Sequence, residues 1–179
     1  MSTGVREGDL LEVSAPRGRF TLQSGEGPLV LLSAGIGATP VMSMLHQLAA
    51  ERTQREVWWI YGARNQANHP FAQESRSLLQ QFHRTRSCIV YSRPNANDEL
   101  GTDFDLQGHI ELPLLKKLGV PSNADFYLCG PSSFLTDIRE GLLRWGAAAE
   151  KVHTETFAAI TFAGIRSSSS AVLRVLGRG

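Results

Sequence analysis

Along this chain, short and almost wholly apolar runs alternate with segments whose apolar residues recur at helical spacing. Residues 28–34 (PLVLLSA) are apolar on both alternating faces and end at a glycine-rich turn, which predicts a strand buried on both sides. Residues 39–50 follow with Val41, Met44, Leu45 and Leu48 at helical spacing and Pro40 in the first turn. Residues 56–61 (EVWWIY) and 86–91 (RSCIVY) predict a second and a third strand, rich in aromatic and β-branched side chains. Between them, residues 70–82 predict a helix with Phe71, Leu78, Leu79 and Phe82 on one side. A polar, turn-rich stretch from 93 to 108 leads to a short helix near 110–118. Residues 124–129 (ADFYLC) predict the fourth strand, 131–145 the fourth helix and 151–156 (KVHTET) a fifth strand.

Strands separated by helices build βαβ units, so the fold expected is α/β: an open, doubly wound, five-stranded parallel sheet with helices on both faces. Such sheets bind ligands outside the carboxyl ends of their strands, where the strand order reverses. The positions that matter are therefore 35–39, 62–65, 92–93, 129–131 and 155–157. The two ends of the chain differ from this centre. Residues 1–24 hold one predicted strand, 10–13, and a turn at 16–18. The last residues, 161–179, include four consecutive serines and read as linker or disordered tail, which leaves 25–160 as the main domain.

Composition narrows the function. The hydrophobic fraction is 42%, the charged fraction 20% and the net charge +1, a globular profile able to bury a core. The basic residues are scattered without a dense run, so no nucleic-acid stripe is expected. Cys88 and Cys129 form no C-x-x-C pair, which excludes a cysteine-built zinc site or iron–sulfur cluster within the chain and predicts no metal site. No signal-type or membrane-length apolar run occurs, so no membrane association and a cytoplasmic location are expected. No serine stands on a nucleophile elbow, so no hydrolytic triad is expected.

The chemistry-bearing signal is Ser33-Ala34-Gly35-Ile36-Gly37-Ala38-Thr39-Pro40, between a buried strand and an amphipathic helix. Glycines let the backbone approach a pyrophosphate, and the helix start supplies unpaired N–H groups and the positive end of its dipole. Alone, the pattern also fits a plain tight turn; its strand–turn–helix setting favours phosphate.

Gly35-Ile36-Gly37-Ala38-Thr39-Pro40 resembles the pyrophosphate loop of ferredoxin–NADP reductase-like flavoenzymes, which carry Pro where Rossmann dehydrogenases carry a third Gly. Cys129-Gly130-Pro131 resembles that family's second signature, and His153-Thr154-Glu155-Thr156-Phe157 its closing strand. The ordered set covers most of residues 8–157 and is similar to bacterial reductases of the phthalate dioxygenase reductase type. The resemblance implies that Gly35, Ile36, Gly37, Ala38, Thr39 and Pro40 bind the pyrophosphate. It implies that Cys129 sits beside the hydride-carrying carbon, with Gly130 and Pro131 turning beneath the nicotinamide and Glu155 and Phe157 near the flavin edge. Taken alone, Cys129 also fits a buried structural cysteine, Glu155 a surface carboxylate and Phe157 a packing aromatic. His69 is expected to cap or pack at the start of the second helix.

The second strand ends in Gly62-Ala63-Arg64-Asn65, with no acidic residue for an adenosine ribose, and the third in Ser92-Arg93. The resemblance makes Ser92 and Arg93 a site for the extra phosphate of NADPH. Ala63 and Arg64 join that list, although both arginines also fit solvated loops. The preferred coenzyme is thus NADPH, with NADH the alternative.

The family's Arg-x-Tyr-Ser/Thr flavin motif does not occur, and residues 8–20 resemble only the last strand and exit of its antiparallel β-barrel. The chain is therefore expected to be part of a larger reductase. FAD would be held by the missing barrel, and a ferredoxin-type iron–sulfur domain or protein would accept the electrons. A truncated, non-catalytic nucleotide-binding or interaction module is the alternative. An ordinary Rossmann dehydrogenase fits less well, because the chain carries the Pro-type loop and no substrate domain.

Overall fold

In the computed structural model, the backbone is described for Leu10–Ser14, for residues 18–156 and for Ser170–Arg174, and the side chains for Leu10 and residues 18–156. The chain divides into two compact units, one formed by Met1–Arg19 with Ala159–Gly179 and the other by Phe20–Ala158.

The larger unit is a single parallel sheet. Its strands are β2 (Leu29–Ala34), β3 (Val57–Ala63), β4 (Thr85–Tyr91), β5 (Leu106–Gln107), β6 (Asp125–Gly130) and β7 (Val152–Thr156), in the order β5-β4-β3-β2-β6-β7. The reversal of order falls between β2 and β6. This bears out the α/β reading and extends the expected five strands to six. The extra strand, β5, lies within the stretch read as turns, and pairs Leu106 with Val90 and Gln107 with Tyr91.

Both faces of the sheet are covered because the strands alternate apolar residues to both sides. Leu29, Leu31, Trp59, Tyr61 and Tyr127 pack toward α1 (Ala38–Ala50) and α2 (Ala72–Leu79). Val30, Leu32, Ile60, Phe126 and Leu128 pack toward α3 (Leu112–Leu118) and α4 (Ser132–Trp145). Complete burial of each leucine stabilises the fold by about 1.5–3 kcal/mol relative to exposure. The second helix is shorter than its apolar spacing predicts. Phe71 precedes it at φ 60°, a left-handed conformation, and remains partly exposed, so it lies off the buried face.

At the amino ends of the strands an ion pair ties three segments together. Arg55, buried just before β3, pairs through Nη2 with Asp125 Oδ2 at the start of β6. Its Nε donates to the Gly27 carbonyl at 2.6 Å and Nη1 to that of Gln23 at 3.4 Å. A buried guanidinium needs this many acceptors to offset its lost hydration.

The smaller unit contains an antiparallel pair, β1 (Leu10–Ser14) with β8 (Ser170–Arg174), in which Leu10 pairs with Arg174 and Ser14 with Ser170. The tail expected as linker or disorder thus contributes a strand. Strand pairing satisfies the backbone groups that the isolated 10–13 strand would leave open.

Candidate functional site

The site is assembled where the carboxyl ends of β2 and β6 meet. Gly35 leaves β2 at φ 56° and begins a 3-10 turn, Gly35–Gly37, that runs directly into α1. Ala38 N–H closes the turn on the Gly35 and Ile36 carbonyls. The Thr39 hydroxyl donates to the Ile36 carbonyl at 3.2 Å, and no side chain caps α1. The first N–H groups of the helix therefore lack side-chain partners, the arrangement that receives an anion.

Gly37 is buried against the end of β6. A Cβ placed on it would lie 2.2 Å from the Cys129 carbonyl oxygen and 2.8 Å from the Gly130 nitrogen. The two motifs are thus in direct backbone contact, and glycine is required by close approach, with φ −61° in the ordinary helical range.

Beside the loop opens a cleft of about 240 Å³. The predicted residues Gly35, Ala63, Arg64, Ser92 and Pro131 line it together. The loops after β3 and β4 are held side by side, since Ser92 N–H donates to the Ala63 carbonyl at 2.9 Å and Arg93 N–H to that of Arg64 at 2.8 Å. Sequence reading missed Val90, Gly108, His109, Ile110 and Phe134, which also line it. The only local signal was Gly108 just after β5, at φ 139°.

The other predicted residues among those described do not line this cleft. Ile36 projects to solvent at 64% exposure, and Ala38 is buried. Thr39 and Pro40 are half-buried in the first turn of α1. Gly130 packs under Phe134, where a Cβ would lie 2.9 Å from Cδ1. Cys129 is fully buried in the core layer beneath α1, on the sheet face opposite the cleft wall formed by Ile110 and Phe134. Burial, with the Glu155 carboxylate as a second cause, raises its thiol pKa to about 11, so the thiol is protonated at neutral pH. Ser33, Cys129 and Glu155 form one row across β2, β6 and β7, with Glu155 exposed. Phe157 lies outside the described residues.

His69 does not cap α2, which has no side-chain cap. It packs instead, stacked on Tyr61 with ring centroids 4.7 Å apart and sharing a 2.9 Å hydrogen bond between Nδ1 and the Tyr91 hydroxyl. Its Nε2 and the Trp59 Nε1 are buried without protein partners and border a separate cavity of about 170 Å³ under α2. Among the described residues, no three His, Cys, Asp or Glu side chains gather to hold a metal, and no helix is long and apolar enough to cross a membrane.

Comparison with known proteins agrees with this geometry. Residues 31–140 match the family described as "Oxidoreductase NAD-binding domain". Flavohemoproteins from Bordetella pertussis and Chromobacterium violaceum are 36% and 38% identical over 154 residues, which is 86% of this chain and 38% of each relative. The chain therefore spans well under half the length of these curated relatives. Among solved structures, the flavohem-like FAD/NAD binding domain of nitric oxide dioxygenase from Vibrio cholerae O1 biovar El Tor superposes with a TM-score of 0.69. It is 35% identical, over 80% of this chain and 56% of that one.

Proposed function

The chain belongs to the oxidoreductase NAD-binding domain family, and on that premise we propose that it binds NAD(P)H and presents the nicotinamide to an FAD held by a partner flavin domain. The observation that carries this reading is the close approach of Gly37 to the Cys129–Gly130 backbone at the switch point of the sheet. The names of the flavohemoprotein relatives point to a haem protein as the onward acceptor. That differs from the iron–sulfur partner expected from sequence.

The coenzyme supplies a hydride when bound; the chain's own residues bind and orient. The uncapped start of α1 and the Gly35–Ile36 backbone suit the pyrophosphate, whose charge the helix dipole favours. Ala38, Thr39 and Pro40 set the first turn of that helix, and Gly37 lets it close onto β6. A cleft of about 240 Å³ is too small for a whole dinucleotide and matches its adenosine-phosphate end. Cys129, Gly130 and Pro131 are the residues we assign to the nicotinamide, with Glu155 and Phe157 toward the flavin. The protonated Cys129 thiol contributes shape and polarizability and moves no proton, in keeping with hydride chemistry.

Coenzyme choice rests on Ser92, Arg93, Ala63 and Arg64. The hydrogen bond from Arg93 N–H to the Arg64 carbonyl sets two guanidinium-bearing residues beside each other at one rim, where a ribose phosphate is favoured over a free diol. Calorimetric titration of the folded chain with NADPH and NADH tests the reading. Binding of both, NADPH the tighter, is expected; no heat with either coenzyme overturns it.

A further inference from the structure

Tyr61 has no part in that scheme, yet its hydroxyl reaches the loop. The side chain is fully buried in β3 on the α1 side, and Tyr61 Oη donates to the Gly35 carbonyl at 3.0 Å. Gly35 stands at φ 56°, and the same carbonyl accepts the Ala38 N–H, so both of its lone pairs are engaged on the inner side of the turn. A trans peptide is planar, with its C=O and N–H on opposite sides. Holding the Gly35 oxygen inward therefore turns the Ile36 N–H outward, to the rim where Ile36 is exposed and Gly35 lines the cleft. The Tyr61 ring is itself fixed. His69 stacks on it at 4.7 Å and is tied through Nδ1 to Tyr91, the residue preceding Ser92. Burial raises the Tyr61 hydroxyl to about pKa 12, so it stays a donor across the ordinary pH range.

The geometry points to Tyr61 as a positioning residue for the coenzyme pyrophosphate: its hydroxyl fixes the Gly35–Ile36 peptide so that the Ile36 N–H faces a phosphate oxygen. This rests on the coenzyme-binding reading above. No motif carries Tyr61, because the contact joins residues 26 positions apart.

The test compares the full chain with its Tyr61→Phe variant, titrated with ADP and AMP, which differ in the second phosphate. The expected result is a roughly tenfold fall in the ratio of ADP to AMP affinity, the effect of one lost hydrogen bond to a loop that must hold its shape. Equal weakening of both ligands, or of neither, overturns the assignment. Failure of the unaltered chain to bind ADP at all is a separate outcome, which removes the coenzyme reading and this inference with it. Should Tyr61→Phe fail to fold, the unaltered chain titrated with inorganic pyrophosphate gives a second measurement. Among the loop amides of residues 35–38, the Ile36 resonance should shift most; an unmoved Ile36 amide overturns the proposal.

Discussion

A Cβ on Gly37 would stand 2.2 Å from the carbonyl oxygen of Cys129 and 2.5 Å from its carbonyl carbon, so the two motifs share one backbone contact. The colliding atoms are main chain, and relief requires the end of β6 or the start of α1 to move. Gly37→Ala should therefore lose about 1–3 kcal/mol of stability, as overpacking does, and weaken coenzyme binding more than tenfold. Gly35→Ala makes a control, since no atom lies within 4 Å of its added Cβ and only the φ of 56° is strained. It should cost about 1–2 kcal/mol. Urea unfolding together with coenzyme titration separates the two; equal binding losses would count against the close-contact explanation.

Arg55 acts at the other end of the strands. Removing its side chain leaves the buried Asp125 carboxylate without its cation and the Gly27 carbonyl without its donor. Arg55→Ala should destabilise the fold by about 3–5 kcal/mol, measured by denaturant unfolding. Coenzyme affinity of the remaining folded protein should be unchanged, because the pair lies at the amino ends of β3 and β6. A large affinity loss without a stability loss would contradict this account.

His69 makes stability depend on pH. Burial, reinforced by Arg76, lowers its pKa from 6.5 to about 4, with Asp103 opposing. Between those values the unfolded chain binds the proton and the folded chain does not, so stability rises with pH there. Acidification from 6.5 toward 4 should remove on the order of 3 kcal/mol, and less where the site relaxes. In His69→Phe that component of the slope should vanish; an unchanged slope between pH 4 and 6.5 would assign it to other groups.

Much of the sheet was legible in sequence because β2, β3, β6 and the second half of β4 are apolar on both faces, as strands of a doubly covered parallel sheet are. β5 was not legible. Its two residues become a strand only by pairing with Val90 and Tyr91, and no local periodicity encodes that. Ser170–Arg174 was hidden for the same reason, since its partner lies at the opposite end of the chain. Phe71 shows the converse error. Its spacing fits the α2 stripe, but its left-handed backbone turns it off that face. In the site, glycine chemistry revealed the loop, and the family resemblance of Cys129-Gly130-Pro131 marked the turn after β6. His109, Phe134 and Tyr61 reach it only through tertiary packing.

Arg93 should discriminate between coenzymes. If its guanidinium meets the ribose phosphate, Arg93→Ala weakens NADPH by about 1.5–3 kcal/mol, the range of a charge-assisted bond, and NADH by much less. The difference should shrink as salt is raised, because the rim is solvent-facing. Titration of both coenzymes at two salt concentrations reads this directly. Equal losses for the two would place Arg93 on the shared part of the dinucleotide.

Cys129 separates binding from chemistry. Its thiol, fully buried and protonated up to about pH 11, is no nucleophile; under the proposed function its part is to fill space beside the nicotinamide. Truncation to alanine leaves the Gly37 contact intact, because that contact is to the main chain. In the complete flavoenzyme, Cys129→Ala should therefore slow hydride transfer while leaving coenzyme affinity close to that of the parent. Donor and acceptor carbons must approach to about 3–3.5 Å, and a void beneath the ring loosens that approach without removing a phosphate contact. Stopped-flow reduction of the flavin gives the rate and the apparent Kd in one experiment. A parallel fall in both would mean that Cys129 supports the fold of the site and not the alignment of the nicotinamide.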